Sequence, residues 1–298
     1  MNSLSLRKKT LAYFKFIRIH QWFKNLLIIL PTLTTQKVLT IDNYKSLITL
    51  FITFSLVSSL IYIINDWTDL EGDKKHPIKK NNPLPKNDIS FIDTLFIVFC
   101  ILLILLILFF QTNINNENIF IIISYFILSI LYSLFLKRII YIDVMLVSIF
   151  YVLRIKCGVN EIDENISYLI YFQIYLASVF ILFCKRYSDL IYTKGISTII
   201  NIYQNNHNIL KLLINLTLIA NIIAYLLIIN SEYLIGKYGD KPYFITAIFV
   251  IISFAKYRYY TFKKNNTIDP VKTFFKSKTL IISNTLWVLS IFVLNNLW

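Results

Sequence analysis

The chain has 298 residues, of which 57% are hydrophobic, a mean hydropathy of +0.63 and a formal net charge of +14. Apolar stretches of about 20 residues, the length that crosses a bilayer, recur along it and exclude a soluble globular protein, because a chain of this size cannot surround so many apolar helices. Positive charge is typical of membrane-protein loops that face the cytoplasm and anionic lipid, so we predict a membrane partner and no nucleic acid.

We predict nine membrane spans, which make residues 1–298 one all-α transmembrane domain around a central cavity. In chain order they cover about 23–41, 45–65, 89–110, 118–136, 139–157, 166–184, 209–230, 242–260 and 279–297. Of the 30 Lys and Arg residues, 24 fall in the N-terminal segment and the loops on its side of the membrane. By the positive-inside rule the N-terminus is cytoplasmic and Trp298 lies outside, which predicts a multi-pass protein of the cytoplasmic membrane.

The segment before the first span contains Arg18-Ile19-His20-Gln21-Trp22-Phe23-Lys24-Asn25. Its composition is typical of an amphipathic helix at the membrane interface, anchored by Trp22. Spacing alone assigns it no chemistry.

A cluster of oxygen ligands follows the second span, in a chain that is otherwise poor in acid. On a continuous helix Asn65, Asp66, Asp69 and Asp73 fall within one 100° arc, so their oxygens would converge. Mg²⁺ prefers carboxylates together with phosphate oxygens, and five lysines come directly after the cluster. We therefore predict a site for Mg²⁺ and a diphosphate-bearing substrate. The alternative is a solvated helix end with ordinary surface acids.

The fourth span ends in Tyr132-Ser133-Leu134-Phe135-Leu136-Lys137-Arg138. Ser133 and Lys137 are four residues apart and are expected on one helical face. Lys137 can then bind phosphate while Tyr132 donates a hydrogen bond. Anchoring of the turn at the lipid headgroups is the alternative, and spacing alone favours it.

Two further groups of cations lie in or next to later spans. Arg154 is far inside the fifth span, where a charge is costly and usually functional, although it could extend to the far side beside Lys156. Lys185 and Arg186, followed by Asp189, end the sixth span and suit a phosphate contact, with headgroup anchoring as the alternative.

The segment from Asp269-Pro270 to Lys276 is predicted to be a polar loop that re-enters the membrane. The three histidines lack the spacing of metal ligands and receive no role. All clusters fall on the positively charged side of the membrane, so the active site is expected to face the cytoplasm.

Together these strings resemble the UbiA superfamily of intramembrane prenyltransferases. The Asn65-Asp66-x-x-Asp69-x-x-x-Asp73 string is similar to the first Asp-rich motif of that family, and nine helices match its fold. Within the family, the chain looks most like the branch that transfers phosphoribose to a polyprenyl phosphate, the decaprenyl-phosphate phosphoribosyltransferase type. The strings that carry this are Gln21-Trp22-x-Lys24-Asn25, the Asp-rich motif with His76-Pro77, Tyr132-Ser133-x-x-Leu136-Lys137 with Asp143-Val144, Val152-Leu153-Arg154, Lys185-Arg186, and Asp269-Pro270 to Lys276.

The resemblance implies roles for twelve residues and Mg²⁺ as the cofactor. The implied metal ligands are Asn65, Asp66, Asp69 and Asp73. The implied catalytic residues are Asp66, Asp69, Asp73 and Lys137. The implied substrate-binding residues are Lys24, Asn25, Asn65, Tyr132, Arg154, Lys185, Arg186 and Lys276.

A difference from the quinone-type members of the family favours the phosphoribosyl branch. Those members carry a second Asp-rich motif after the sixth span, where this chain has Lys185, Arg186 and only Asp189. Extra cations suit a substrate with a diphosphate and a further phosphate, such as 5-phosphoribosyl diphosphate. The expected acceptor is a polyprenyl phosphate, and the product would feed cell-envelope glycan synthesis.

Two other functions remain open at this point. One is transfer of a prenyl diphosphate to an aromatic ring, as in quinone or haem synthesis, which would require a second acidic cluster. The other is non-enzymatic transport of an anionic lipid, which would require no Mg²⁺-dependent turnover. The oligomeric state also stays open, a homo-oligomer included.

Overall fold

The computed structural model describes residues 3–33, 39–76, 79–111, 114–193, 203, 206–264 and 267–296. Every regular element within these ranges is helical. The α-helices are α1 (Ser3–Phe16), α2 (Ile41–Thr68), α3 (Leu70–Lys75), α4 (Phe91–Gln111), α5 (Asn116–Leu134), α6 (Ile142–Glu161), α7 (Tyr168–Thr193), α8 (His207–Ile229), α9 (Glu232–Tyr238), α10 (Phe244–Lys264), α11 (Pro270–Lys276) and α12 (Lys278–Asn296). Short 3₁₀ segments cover Ile19–Ile28, Leu30–Leu33, Lys79–Asn81 and Leu136–Arg138.

Six of these helices, α2, α4, α5, α7, α8 and α12, are long and apolar enough to cross a membrane. They coincide with six of the nine predicted spans, and the predicted all-helical membrane fold is confirmed. Helices α6 and α10 coincide with two more spans and carry charges within their length, such as Arg154 and Arg258. The total of nine spans stays a prediction, and Trp298 lies outside the described residues.

The first predicted span differs from expectation in the part that the structure describes. Residues Ile19–Ile28 and Leu30–Leu33 form 3₁₀ segments in place of one α-helix. The first of them packs between α2 and α6, and the main chain of Ile28 touches α6 at Gly158. A Cβ on Gly158 would stand only 1.9 Å from the Ile28 carbonyl oxygen, so a glycine is required for this approach.

Helix α2 lies at the centre of the bundle. In its most apolar stretch 67% of the residues are buried, against 11% for α4, whose apolar side chains face outward as lipid-facing residues do. The core around α2 includes Phe54 and Ile61 of α2 together with Tyr125 of α5 and Phe150 of α6. This packing carries the C-terminal end of α2, and the acidic cluster that follows it, into the middle of the molecule.

Candidate active site

A polar cavity of about 360 Å³ opens where α2 ends, between α5, α6, α7 and the segment that precedes α11. Eight cationic side chains and four carboxylates line it, so it carries twice as many positive as negative groups. These side chains are Lys15, Arg18, Lys24, Lys79, Arg154, Lys185, Arg186 and Lys272, with Asp66, Asp69, Asp189 and Asp269. An excess of positive charge in a partly enclosed site attracts anions.

Eight of the twelve predicted site residues line this polar cavity. They are Lys24, Asn65, Asp66, Asp69, Tyr132, Arg154, Lys185 and Arg186. The other four, Asn25, Asp73, Lys137 and Lys276, do not line it.

The acidic cluster is nearly, but not entirely, one helix. Helix α2 ends at Thr68 and α3 begins at Leu70, with Asp69 between them at φ −101° and ψ 3°. The backbone hydrogen bonds still follow the helical pattern, from the Asp69 N–H to the Asn65 carbonyl at 3.0 Å and from the Asp73 N–H to the Asp69 carbonyl at 2.8 Å. The expectation of a continuous helix is therefore wrong only at Asp69.

Each aspartate of the cluster forms an ion pair with a cation from another part of the chain. Asp66 pairs with Arg18, and the Lys79 ammonium lies 2.9 Å from Asp73. The Lys137 ammonium lies 2.6 Å from Asp69, 3.4 Å from the Asn65 amide oxygen and 3.5 Å from the Thr68 hydroxyl. Lys137, which does not line the polar cavity, thus contacts the acidic cluster from outside that cavity.

The predicted geometry of Lys137 is wrong in one respect. Helix α5 ends at Leu134, and Lys137 belongs to the 3₁₀ segment Leu136–Arg138, so Ser133 and Lys137 do not share the face of one helix. The turn directs Lys137 to Asp69, and no local pattern in the sequence identifies that partner.

The oxygens of the acidic cluster suit a hard divalent cation, but the described residues contain no group of three His, Cys, Asp or Glu side chains that converge on one metal position. Asn65, Asp66 and Asp69 present amide and carboxylate oxygens to the polar cavity, which are the ligands Mg²⁺ prefers. The oxygen ligands of these three residues fit Mg²⁺ chemically, and the three residues would hold the ion. Asp73 is buried and paired with Lys79, outside the cavity lining.

Arg186 is held by a buried network on one side and faces the polar cavity on the other. Its Nε donates to Asp143 at 2.6 Å, and its Nη2 donates to the Tyr132 hydroxyl at 3.3 Å. Asp143 also accepts a hydrogen bond from the Tyr203 hydroxyl, which in turn accepts from the Tyr141 N–H at 2.9 Å. Tyr132 therefore accepts a hydrogen bond from Arg186. Sequence spacing gave no signal for Tyr203, which lies in the α7–α8 connection.

Arg154 stays buried in the bundle and does not extend to the far side. Its Nε donates to the Asn25 amide oxygen at 2.7 Å, its Nη1 to the Phe150 carbonyl at 2.5 Å and its Nη2 to the Tyr125 hydroxyl at 3.0 Å. Asn25 donates onward to the Ser55 hydroxyl at 2.9 Å. Asn25 therefore positions Arg154, and all partners of this guanidinium are uncharged.

The segment before α11 contributes Asp269 and Lys272 to the polar cavity, whereas Lys276 is exposed at the far end of α11. Asp269 caps α11, because its carboxylate accepts from the N–H groups of Val271 and Lys272 at 3.1 and 3.3 Å. Burial raises the pKa of Asp269, but the N–H and the charge of Lys272, with His20, outweigh burial and leave the pKa below its ordinary value. The sequence had predicted a role for Lys276 and missed Lys272.

Two histidines that received no role from spacing, His20 and His76, also line the polar cavity. Burial is the main cause that lowers the pKa of His76, and Lys79 lowers it further. The imidazole of His76 is therefore neutral at pH 7 and adds no positive charge to the cavity at that pH.

A second cavity of about 700 Å³ lies next to the first and is almost wholly apolar. Its walls include Leu27, Phe180, Phe254, Trp287 and Val288, from the first 3₁₀ segment, α7, α10 and α12. Three residues line both cavities: Lys24, Tyr151 and Pro270. The two cavities therefore meet, and one ligand can place an anionic group in the polar cavity and a hydrocarbon chain in the apolar one.

Comparison with known proteins gives a family and a fold. The model of the UbiA prenyltransferase family matches residues 27–284. A structure of a UbiA homologue from Archaeoglobus fulgidus bound to GPP and Mg²⁺ superposes with a TM-score of 0.66 at 15% identity, over 95% of this chain and 99% of that one. The same homologue bound to DMAPP and Mg²⁺ gives a TM-score of 0.68 at 14% identity, over 96% of this chain and all of that one. At such identities the likeness concerns the fold alone.

Curated relatives match over shorter stretches. The nodulation protein NoeC of Azorhizobium caulinodans is 30% identical over 149 residues, which are 50% of this chain and 47% of that protein. The decaprenyl-phosphate phosphoribosyltransferase of Mycobacterium tuberculosis is 34% identical over 74 residues, which are 24% of each chain. The matched part thus spans about half or less of these relatives.

Proposed function

The chain belongs to the UbiA prenyltransferase family, and we propose that within it this transferase moves the 5-phosphoribosyl group from 5-phosphoribosyl diphosphate to a polyprenyl phosphate. The oxygen of the lipid phosphate forms a bond to the anomeric carbon, and the bond from that carbon to the diphosphate breaks. Support comes from the local similarity to decaprenyl-phosphate phosphoribosyltransferases. The cavity supports it independently.

The charge of the polar cavity is the observation that carries the proposal. Its cations outnumber its carboxylates two to one, and all four carboxylates lie next to cations in ion pairs: Asp66, Asp69, Asp189 and Asp269. A prenyl diphosphate and an aromatic acceptor would bring one phosphate-bearing group, held in other family members by two acidic motifs. Phosphoribosyl diphosphate and a lipid phosphate bring three, which matches the larger number of cations here.

The residues of this chain suit the displacement of a diphosphate. Arg18, Lys79 and Arg186 stand in or beside the polar cavity, where they would stabilise the negative charge that develops on the leaving diphosphate. A divalent cation held by Asn65, Asp66 and Asp69 would neutralise further charge on that group. The anomeric carbon becomes oxocarbenium-like in such transfers.

No strong general base is required for this reaction. A phosphate monoester has its second pKa at about 6, so the lipid phosphate is already a dianion at neutral pH.

The proposed site faces the cytoplasm. Most Lys and Arg residues lie on the side of the membrane at which α2 ends, as the positive-inside rule requires of cytoplasmic loops. The soluble sugar donor would enter from there, while the lipid acceptor would come from the bilayer. We place the protein in the cytoplasmic membrane on this basis.

The test is transfer of radiolabel from phosphoribosyl diphosphate to polyprenyl phosphate, with Mg²⁺, by the purified protein in liposomes. Label is expected in the lipid phase with the wild type and not with Asp69→Ala. Glu71→Ala is the matched control, since Glu71 is an exposed acid two residues away, paired only with Lys74, and should transfer normally.

Two results would contradict the proposal. Prenyl transfer from geranyl diphosphate to an aromatic acceptor, without ribose transfer, would assign the chain to the quinone-type branch. Lipid translocation without turnover of either donor would make it a transporter.

A further inference from the structure

The cations of the polar cavity fall into two groups according to their partners. Arg18, Lys79, Arg186 and Lys272 each lie within 4.0 Å of a carboxylate oxygen. Lys15 instead donates to the Asn81 carbonyl at 3.1 Å. Within the described ranges Lys24, Arg154 and Lys185 also have no carboxylate oxygen within 4.0 Å, and the residues outside those ranges contain no Asp or Glu. These three charges, called the unpaired cations below, are left to interact with a ligand.

The unpaired cations line the same polar cavity of about 360 Å³. Like charges in a partly buried site repel one another, because protein screens them less than water does. An anion bound among them would offset that repulsion.

Lys24 stands where the two cavities meet, and Arg154 lies next to that junction. Lys24 lines both cavities, and so does Tyr151, whose ring lies 5.5 Å from the Arg154 guanidinium carbon. Arg154 is fixed there by Asn25 and the Phe150 carbonyl. An anionic group beside Lys24 can therefore extend an attached hydrocarbon chain directly into the apolar cavity.

We propose that Lys24, Arg154 and Lys185 bind the phosphate of the lipid acceptor, an isoprenoid monophosphate, at a subsite separate from the one that binds the diphosphate of the sugar donor. This inference rests on the proposed function, since it divides the cavity between the two substrates of that reaction. The unpaired cations have no carboxylate partner, so they take a phosphate without a bridging metal. The donor diphosphate is assigned to the part of the cavity that Asp66 and Asp69 line.

The test measures binding of three probes to the purified protein in detergent by isothermal titration calorimetry. Geranyl phosphate carries both a phosphate and an isoprenoid chain, geraniol lacks the phosphate, and inorganic phosphate lacks the chain. Phosphoribosyl diphosphate with Mg²⁺ is titrated into the same samples. The variants are Lys24→Gln and Lys185→Gln. Lys74→Gln is the matched control, because it removes a cation that does not line the cavity and whose ammonium lies 2.7 Å from Glu71.

We expect the wild type to bind geranyl phosphate more tightly than geraniol or inorganic phosphate. Loss of a charge-assisted hydrogen bond should weaken the binding of geranyl phosphate by about tenfold in Lys24→Gln and in Lys185→Gln. Affinity for phosphoribosyl diphosphate should stay within about threefold in both, which also demonstrates that the variants are folded. Lys74→Gln should bind geranyl phosphate like the wild type.

The inference is overturned if both variants keep wild-type affinity for geranyl phosphate, or if they lose the sugar donor equally. A wild type that prefers inorganic phosphate to geranyl phosphate also overturns it, because the subsite would then not extend into the apolar cavity. The proposed function fails separately: geranyl phosphate would still bind through Lys24, but no ribose would be transferred.

Discussion

Variants of the ion pair between Lys137 and Asp69 separate its effect on stability from its effect on catalysis. Both side chains are largely buried, with 4% and 14% of their surface exposed, and the ammonium and carboxylate are 2.6 Å apart. Three proteins test the pair: Asp69→Asn, Lys137→Met and the double variant. Asn and Met keep the size of the original side chains and remove the charges.

The expected loss of stability depends on which charge is left unpaired. Removal of one partner of a buried ion pair costs about 3–5 kcal/mol of stability. In Asp69→Asn the ammonium of Lys137 keeps only the weaker contacts to Asn65 at 3.4 Å and Thr68 at 3.5 Å, so we expect about 3 kcal/mol. In the double variant neither charge remains, and the loss should fall to about 1 kcal/mol.

The free energy of unfolding is measured by denaturant titration in mixed micelles, and ribosyl transfer is measured on the same preparations. The double variant should regain stability while transfer stays absent, because the Asp69 carboxylate is needed for the donor. Additive losses of stability would show that the pair does not interact. Transfer restored in the double variant would refute the assignment of Asp69 to the reaction.

Three further predictions concern the surroundings of the site. Asp143→Asn should raise KM for the sugar donor about tenfold with a smaller change in kcat, since Arg186 loses a charged hydrogen bond that orients it, as steady-state kinetics would show. Gly158→Ala should lower Tm by roughly 3 °C or more, because a Cβ 1.9 Å from the Ile28 carbonyl oxygen forces the first 3₁₀ segment away. Gly236→Ala is the control and should leave Tm unchanged, because a Cβ at Gly236 would have no neighbouring atom within 4 Å. Asp269→Asn keeps the helix cap but removes the charge. Because folding lowers the pKa of Asp269, the difference in stability from the wild type should be constant above about pH 5 and should be lost as the pH falls below about 4. Thermal unfolding of both proteins over this pH range checks it.

Much of the fold follows from the sequence because bilayer thickness sets the length of an apolar helix. Six predicted spans are matched by α2, α4, α5, α7, α8 and α12. The first span could not be predicted in its 3₁₀ form, because that form depends on the approach to Gly158, about 130 residues further along the chain. A local apolar run contains no information about that contact.

Eight of the twelve residues predicted from the sequence line the polar cavity, but their ion pairs were not predictable. Lys185 and Arg186 are adjacent in the sequence, and both line the polar cavity. Consecutive residues on a helix point about 100° apart, so Arg186 reaches the buried Asp143 while Lys185 remains without a carboxylate. Which of two neighbouring cations is compensated depends on α6, and composition cannot reveal it.

The pairing explains how a cavity with so many charges exists before substrate enters. Asp66, Asp69 and Asp73 lie within eight residues and would repel one another if nothing opposed them. Their partners come from three separate places: Arg18 precedes the first 3₁₀ segment, Lys79 follows α3, and Lys137 follows α5.

The ion pairs therefore have a part in assembly as well as in binding. Each one fixes an element of the bundle to the end of α2, so the acidic cluster stabilises the fold around the cavity that it serves. A substrate that carries phosphate groups together with a divalent cation offers both members of a pair a new partner of the right sign. For these three pairs, exchange of partners leaves neither charge buried alone at either stage, which is the condition for moving charged groups within a membrane protein.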